Sequence, residues 1–449
     1  MSSVQKTLVG RLEETRLRSR TTKWLITGAL ALVDQGLISG SNFVVGIVLA
    51  RSLGARQYGA YALAFSTFLL LSLLYHALLL EPMSVFGASS WRRQMPDYLG
   101  RLLWLQAIVA AVCIGTLGAV ALVISEWGAS KELPPALLGI AFASPCVLLM
   151  WFARRALYVG YHAGQAALAA ILYCGVLFGG LWALSKTSTL SPVSAFLVMG
   201  TGALAASTVL LIRLRPAVRC CRWPALAEVA RSHWRYGRWA LGSAIFIWVP
   251  WNCYYTVVTA FFGLSQAGAL RALLNLSLPM AQLFAALCLL FLPHTAHIAD
   301  AEGWKGAKRQ AAIIGGIFTA TGIVYWGAVI LWRAPLIRFL YGGQYANVTS
   351  LVPWVALASI LSGMVFGPAS AFRAMQSPAT VCMIFFGSSV IGLAFGIPAT
   401  HAYGITGAII GIVLSSIAAL CAGIVLLLRQ AGNPPHPERP RVAESVASL

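Results

Sequence analysis

The sequence has 449 residues, of which 59% are hydrophobic and only 10% charged, with a formal net charge of +20. So few charges cannot cover a water-soluble globule of this length, so the chain belongs in a bilayer. The positive excess is scattered over short loops, which points to membrane orientation and away from a nucleic-acid partner.

Residues 1–23 carry Lys6, Arg11, Arg16, Arg18, Arg20 and Lys23. The apolar run behind them has no small-residue cleavage site, so it reads as a first membrane helix and not as a removed signal. Val4, Leu8 and Leu12 recur at about one helical turn, so this cytoplasmic segment is expected to lie along the membrane surface. Apolar runs of about 20 residues span the hydrocarbon core as helices. Twelve are predicted, at 25–49, 58–80, 102–124, 135–157, 163–184, 192–214, 239–262, 268–292, 311–332, 348–372, 379–398 and 404–428.

These runs divide the chain into a first six-helix bundle, 24–214, and a second, 239–428, joined by a basic cytoplasmic linker, 215–238, with Pro216 and Pro224. The Pro-rich tail 429–449 lacks apolar periodicity and is expected to be disordered. With the N-terminus inside, 25 Lys and Arg fall on the cytoplasmic side and seven opposite. That asymmetry places both termini in the cytoplasm. No soluble domain fits in any loop.

Between the first two runs lies LARSLGARQYGAY, residues 49–61, and 209 positions later stands VTAFFGLSQAGAL, residues 258–270. In that register Gly54, Gln57, Gly59 and Ala60 match Gly263, Gln266, Gly268 and Ala269. Duplication of half a chain is frequent in transporters. Gly36/Gly40, Gly175/Gly179, Gly392/Gly396 and Gly407/Gly411 have the spacing that lets helix backbones approach.

Polar groups at membrane depth are costly and mark pathways. Asp34 is the only acid deep within a predicted span, and Gln35, Ser39, Asn42 and Gly46 continue a polar stripe along the same helix. Asp34, with Asn42, is a candidate for binding a coupling cation; the alternative is a carboxyl satisfied by a neighbouring hydroxyl or amide. Arg271, Asn275 and Gln282 recur at helical spacing, and Asn252 and Tyr255 share a face of the preceding helix. Arginine suits phosphate and aromatic faces suit sugar rings, although Arg271 stands near the start of its span and aromatic residues near span ends also serve as interfacial anchors.

Arg154 and Arg155, and Arg373 in the second half, end corresponding helices on the cytoplasmic side. They are placed either to receive an anionic headgroup or to anchor the helices. His294, His297 and Asp300 have a metal-compatible spacing without further ligands nearby, so no metal is assigned. The nine cysteines form no CxxC pattern, and the adjacent Cys220 and Cys221 read as exposed thiols, with lipidation the alternative. Walker, GxGxxG, GxSxG and HExxH motifs are absent, which leaves ATP hydrolysis and the common hydrolase chemistries without support; no cofactor is assigned.

The first 90 residues, with LARSLGARQYGAYALAFS, resemble the start of Wzx-like polysaccharide transporters of the multidrug/oligosaccharidyl-lipid/polysaccharide (MOP) exporter superfamily. FGLSQAGALRALLNLSLP resembles their paired segment between helices seven and eight, and FLYGGQYANVTSLVPWVALA, residues 339–358, the segment entering helix ten. The resemblance implies an all-α fold of about twelve membrane helices in two bundles related by a pseudo-two-fold axis along the membrane normal. It also implies flipping of an undecaprenyl-diphosphate-linked oligosaccharide across the bacterial inner membrane. Basic cavity residues would meet the diphosphate, here Arg271 and then Arg51, Arg154 and Arg373. Partners would be that lipid-linked substrate, the bilayer, and a polysaccharide polymerase with other assembly proteins. A cation-coupled multidrug exporter of the same superfamily is the alternative, and a membrane glycosyltransferase or polysaccharide polymerase a more distant one. One departure stands out: helix seven of many relatives carries an acid near its middle, where this chain reads WNCYYT.

Overall fold

A computed structural model describes residues 30, 33–88, 91–128, 130–160, 163–218, 223–375 and 377–430. The N-terminal basic segment, Cys220 with Cys221, and the Pro-rich tail beyond 430 lie outside the described residues. Among the described residues every regular element is a helix. That follows from the solvent: apolar surroundings offer a backbone no outside partner, so each segment must satisfy itself.

In chain order the helices are α1 (Val33–Ser52), α2 (Ala55–Gly87), α3 (Met95–Glu126), α4 (Leu133–Val159), α5 (Ala163–Lys186) and α6 (Pro192–Leu214). They continue with α7 (Trp223–Phe262), α8 (Leu264–Asn275), α9 (Leu278–Leu331), α10 (Arg333–Tyr341), α11 (Val352–Ala374), α12 (Pro378–Tyr403) and α13 (Ile405–Arg429). Among the described residues 11 helices are long and apolar enough to cross a membrane. The predicted span at 268–292 differs from the other eleven because it is broken. α8 ends at Asn275, the Leu276 and Ser277 amides turn back to the Leu273 and Leu274 carbonyls, and α9 starts one residue before Pro279, which has no amide to donate. The predicted loop after 292 is instead helical, interrupted at Gly303, whose φ of 62° is left-handed.

The contacts group the chain into two compact units. The first holds residues up to Trp248 together with Tyr255–Pro279 and Ile337–Ala346; the second holds Val249–Tyr254, Met280–Leu336 and Asn347 onward. Thus α8 and the later part of α10, from Ile337, which follow the linker in sequence, pack within the first unit.

In the first unit α4 packs against α6, α3 and α2, and α6 against α5. Pro145 leaves the Ala141 carbonyl without its helical amide, and the Ser144 hydroxyl donates to it at 3.4 Å. The extension of α7 before the membrane is anchored by His233. Its Nδ1 donates to the Leu78 carbonyl at 3.2 Å, and its Nε2 accepts from the Tyr98 hydroxyl at 2.8 Å. Burial pushes His233 down from 6.5 to about 4, more than its bond to Leu78 raises it. A depressed histidine favours the fold while neutral. Its contribution is complete above pH 6.5 and is lost as pH falls from there through about 4. Thermal unfolding across that window is expected to show this loss, and His233→Gln should flatten it.

In the second unit α12 packs along α13, and α11 along α13. Tyr254 is buried there, its hydroxyl donating to the Gly392 carbonyl at 2.6 Å. A Cβ on either Gly396 or Gly411 would lie 1.9 Å from that hydroxyl oxygen. These two small-residue stripes are therefore intramolecular seams; Gly36, Gly40, Gly175 and Gly179 have open space instead. Gly411→Ala is expected to destabilise by about 1–3 kcal/mol, as overpacking does in a filled interior, and Tyr254→Phe in the same background to recover part of it.

Candidate functional site

The two related stretches, far apart in sequence, meet in the first unit, where α2 packs on α8. A Cβ on Gly59 would stand 1.7 Å from the Leu264 carbonyl oxygen, and one on Gly268 would stand 2.8 Å from that of Ala55. Ala55 and Leu264 are themselves equivalent positions of the repeat, so the contact is reciprocal. The motif's first glycines differ in duty: Gly54 is extended at φ −64°, whereas Gly263 starts α8 at φ +80°, which favours glycine.

Below that crossing, α8 carries Arg271 and Asn275 one turn apart. Arg271 is 4% exposed. Its Cζ lies 4.9 Å from the Phe65 ring centre and 5.9 Å from that of Tyr255, both within reach of a cation–π attraction. Rings continue the wall: Tyr61 is 5.6 Å from Phe65, Tyr58 is 6.0 Å from both Tyr61 and Tyr345, and the Tyr341 hydroxyl donates to the Ala272 carbonyl. Among the described residues no carboxylate pairs with Arg271.

Four buried polar atoms of this cluster have no hydrogen-bond partner: Arg271 Nε, Asn275 Oδ1, and the hydroxyls of Tyr58 and Tyr345. Asn275 donates through Nδ2 to the Phe43 carbonyl at 3.4 Å, and a Cβ on Gly46 would come within 2.9 Å of its Oδ1. The break after Asn275 fixes where this face ends. Leaving such groups unmet is costly in a low-dielectric interior, which makes these four atoms candidates for a polar or anionic partner.

A second polar cluster joins α1 to α4. Asp34 is fully buried; Arg154 donates from Nε to Oδ1 at 3.2 Å and from Nη2 to Oδ2 at 2.5 Å, and the Tyr158 hydroxyl donates to Oδ2. Next to it, Arg155 Nη2 meets His76 Nε2 at 2.8 Å. His76 opens a π-helical turn of α2, His76–Leu80, a local widening frequent at functional sites.

Two residues assigned separate roles on sequence, Asp34 as a cation site and Arg154 as a headgroup receiver, are thus partners. Tyr255 joins Arg271 and Asn275. Arg51 is exposed at the end of α1, beside Gly342, and Asn42 is half-buried on α1. Asn252 and Gln282 are half-buried in the second unit. There Arg373 is exposed and, with Cys288, Phe291, Ile314, Phe366 and Ser370, lines a small pocket. Among the described residues His294, His297 and Asp300 belong to no group able to hold a metal.

Sequence reasoning missed Tyr58 and Tyr345 as parts of the cluster and missed the Asp34–Arg154 pair. The pair had a signal: a lone deep acid demands a cation, and Arg154 lies inside the apolar end of its run.

No protein-family model matches the sequence, nor does any curated protein. Solved structures do match. An inward-facing multidrug resistance MATE family transporter of the MOP superfamily aligns with TM-score 0.73 and 14% identity over 89% of this chain and 96% of its own. An outward-facing structure of the same description gives 0.63 and 15% over 91% and 95%. A MOP superfamily transporter from Pyrococcus furiosus, described as having a binding pocket of reverse polarity, gives 0.64 and 14% over 91% and 94%. These alignments, over about nine-tenths of the chain, lead to one conclusion: the chain has the fold of MATE transporters of the MOP superfamily.

Proposed function

We propose that this chain is a transporter of the bacterial inner membrane that flips an undecaprenyl-diphosphate-linked oligosaccharide for exopolysaccharide or O-antigen assembly, with both termini in the cytoplasm. The reading rests on Arg271: a buried guanidinium with aromatic rings around it and, among the described residues, no acid paired with it. A diphosphate supplies the missing charge, and tyrosine faces and hydroxyls suit the sugar next to it. A pocket of reverse polarity in the Pyrococcus furiosus neighbour supports the idea that this fold accommodates cargoes of different charge. A polymerase and other assembly proteins would take the delivered lipid-linked sugar.

Proteoliposomes loaded with a fluorescent lipid-linked oligosaccharide test it. Arg271→Gln is expected to cut flipping at least about tenfold, one lost charge-assisted contact being worth roughly 1.5–3 kcal/mol, while the unfolding temperature stays near that of the wild type. Arg271→Lys should restore part of the rate, since it keeps the charge but loses the planar fork. A folded wild type that moves no such lipid would refute the proposal. The second reading, a cation-coupled multidrug exporter, draws on the descriptions of the MATE neighbours. Dye efflux that disappears in Asp34→Asn would replace the first reading with it.

A further inference from the structure

An acid deep in the first membrane helix looks like a handle for a coupling ion, but here its oxygens are engaged. Three donor groups converge on the Asp34 carboxylate, two from Arg154 and one from Tyr158. A carboxylate offers about four lone-pair positions, so most are taken. The pair is sealed as well: Asp34 is 0% and Arg154 7% exposed. From α5, Tyr173 and Cys174 interact with the pair, and on its α4 side stand Arg155, His76 and Glu81. Among the described residues no second carboxylate approaches Asp34 to complete an oxygen cage for a metal ion.

We propose that Arg154 is a built-in counter-cation that closes Asp34 to sodium ion and proton, so that cargo movement by this chain is not driven through Asp34. The charge balance is local. An arginine side chain keeps its proton throughout the working range and cannot diffuse away, so it neutralises the carboxylate permanently where an exchangeable ion would do so in turns. Taking the guanidinium away leaves an enclosed carboxylate that must recruit a cation or a proton, or lose the fold. The prediction is therefore a gain: Arg154→Gln creates a cation dependence that the wild type lacks.

The test uses full-length protein in detergent and needs no cargo, so it succeeds or fails apart from the flippase reading. Thermal unfolding is followed in sodium chloride and in choline chloride at equal ionic strength, with radiolabelled sodium binding alongside. Wild type is expected to unfold at the same temperature in both salts and to bind no displaceable sodium. Arg154→Gln is expected to show a saturable rise of several degrees in sodium or at lower pH, as ligand linkage requires. That rise should vanish in Asp34→Asn/Arg154→Gln. Saturable sodium stabilisation of the wild type that Asp34→Asn removes would overturn the proposal, as would a folded Arg154→Gln indifferent to both sodium and pH. If Arg154→Gln does not fold, the wild-type readings decide alone: indifference to sodium upholds the built-in cation and sensitivity rejects it.

Discussion

Gly59→Val is expected to abolish transport and to lower thermal stability more than any other single change on α2. Its Cβ would lie 1.7 Å from the Leu264 carbonyl oxygen and 2.5 Å from the carbonyl carbon. Both are backbone atoms within helix α8, so no rotamer relieves the clash; the two helices must separate. Overpacking ordinarily costs about 1–3 kcal/mol, and a contact that only backbone movement can relieve belongs at or above the top of that range. Gly268→Ala should follow with a smaller loss, since its Cβ would meet the Ala55 carbonyl oxygen at 2.8 Å. Gly54→Ala is the control. That glycine has extended backbone and nothing within 4 Å, so the substitution should be silent. Unfolding temperatures of the three purified variants, measured beside flipping rates, check the ranking.

Asp34→Ala is expected to cost about 3–5 kcal/mol, the penalty for leaving one member of a buried ion pair without the other. Arg154 would keep its charge, at 7% exposure, and among the described residues no other carboxylate pairs with it. Asp34→Leu/Arg154→Met should be far milder than either single change, because apolar side chains of similar volume restore packing and leave no charge behind. A double-mutant cycle on unfolding temperature measures the coupling. Near-additive losses would mean that the pair contributes little.

Much of the architecture can be read from the chain because the bilayer restricts the choices. Apolar run lengths locate eleven membrane helices, and the register between residues 49–61 and 258–270 identifies the two segments that come into contact. The eighth run, 268–292, reads as one span by hydropathy; Pro279 within it signals a bend, but nothing in the run signals the turn at Leu276 and Ser277 that breaks it. Arg271 and Asn275 were legible as a stripe with Tyr255 on the neighbouring helix. The tyrosines that close the cluster were not, because Tyr345 is supplied from just beyond the short helix α10, whose mixed composition resembles a loop. The Asp34–Arg154 pair spans 120 residues of sequence, and spacing rules operate only within one helix. His233 escaped notice for a similar reason. A lone histidine in a basic linker gives no sign that its two nitrogens satisfy a backbone carbonyl and a tyrosine on other helices.

The mirrored glycines of α2 and α8 bear on ancestry. Each copy of the motif presents its small residue to the other copy's first helical carbonyl, an isologous arrangement that identical subunits make across a two-fold axis. A half-length forebear associating with its own twin would have used one surface twice, so a single glycine in its gene would have supplied both sides of the joint. In the present chain Gly263 holds a left-handed φ and its counterpart Gly54 an extended backbone, yet both meeting points are bare.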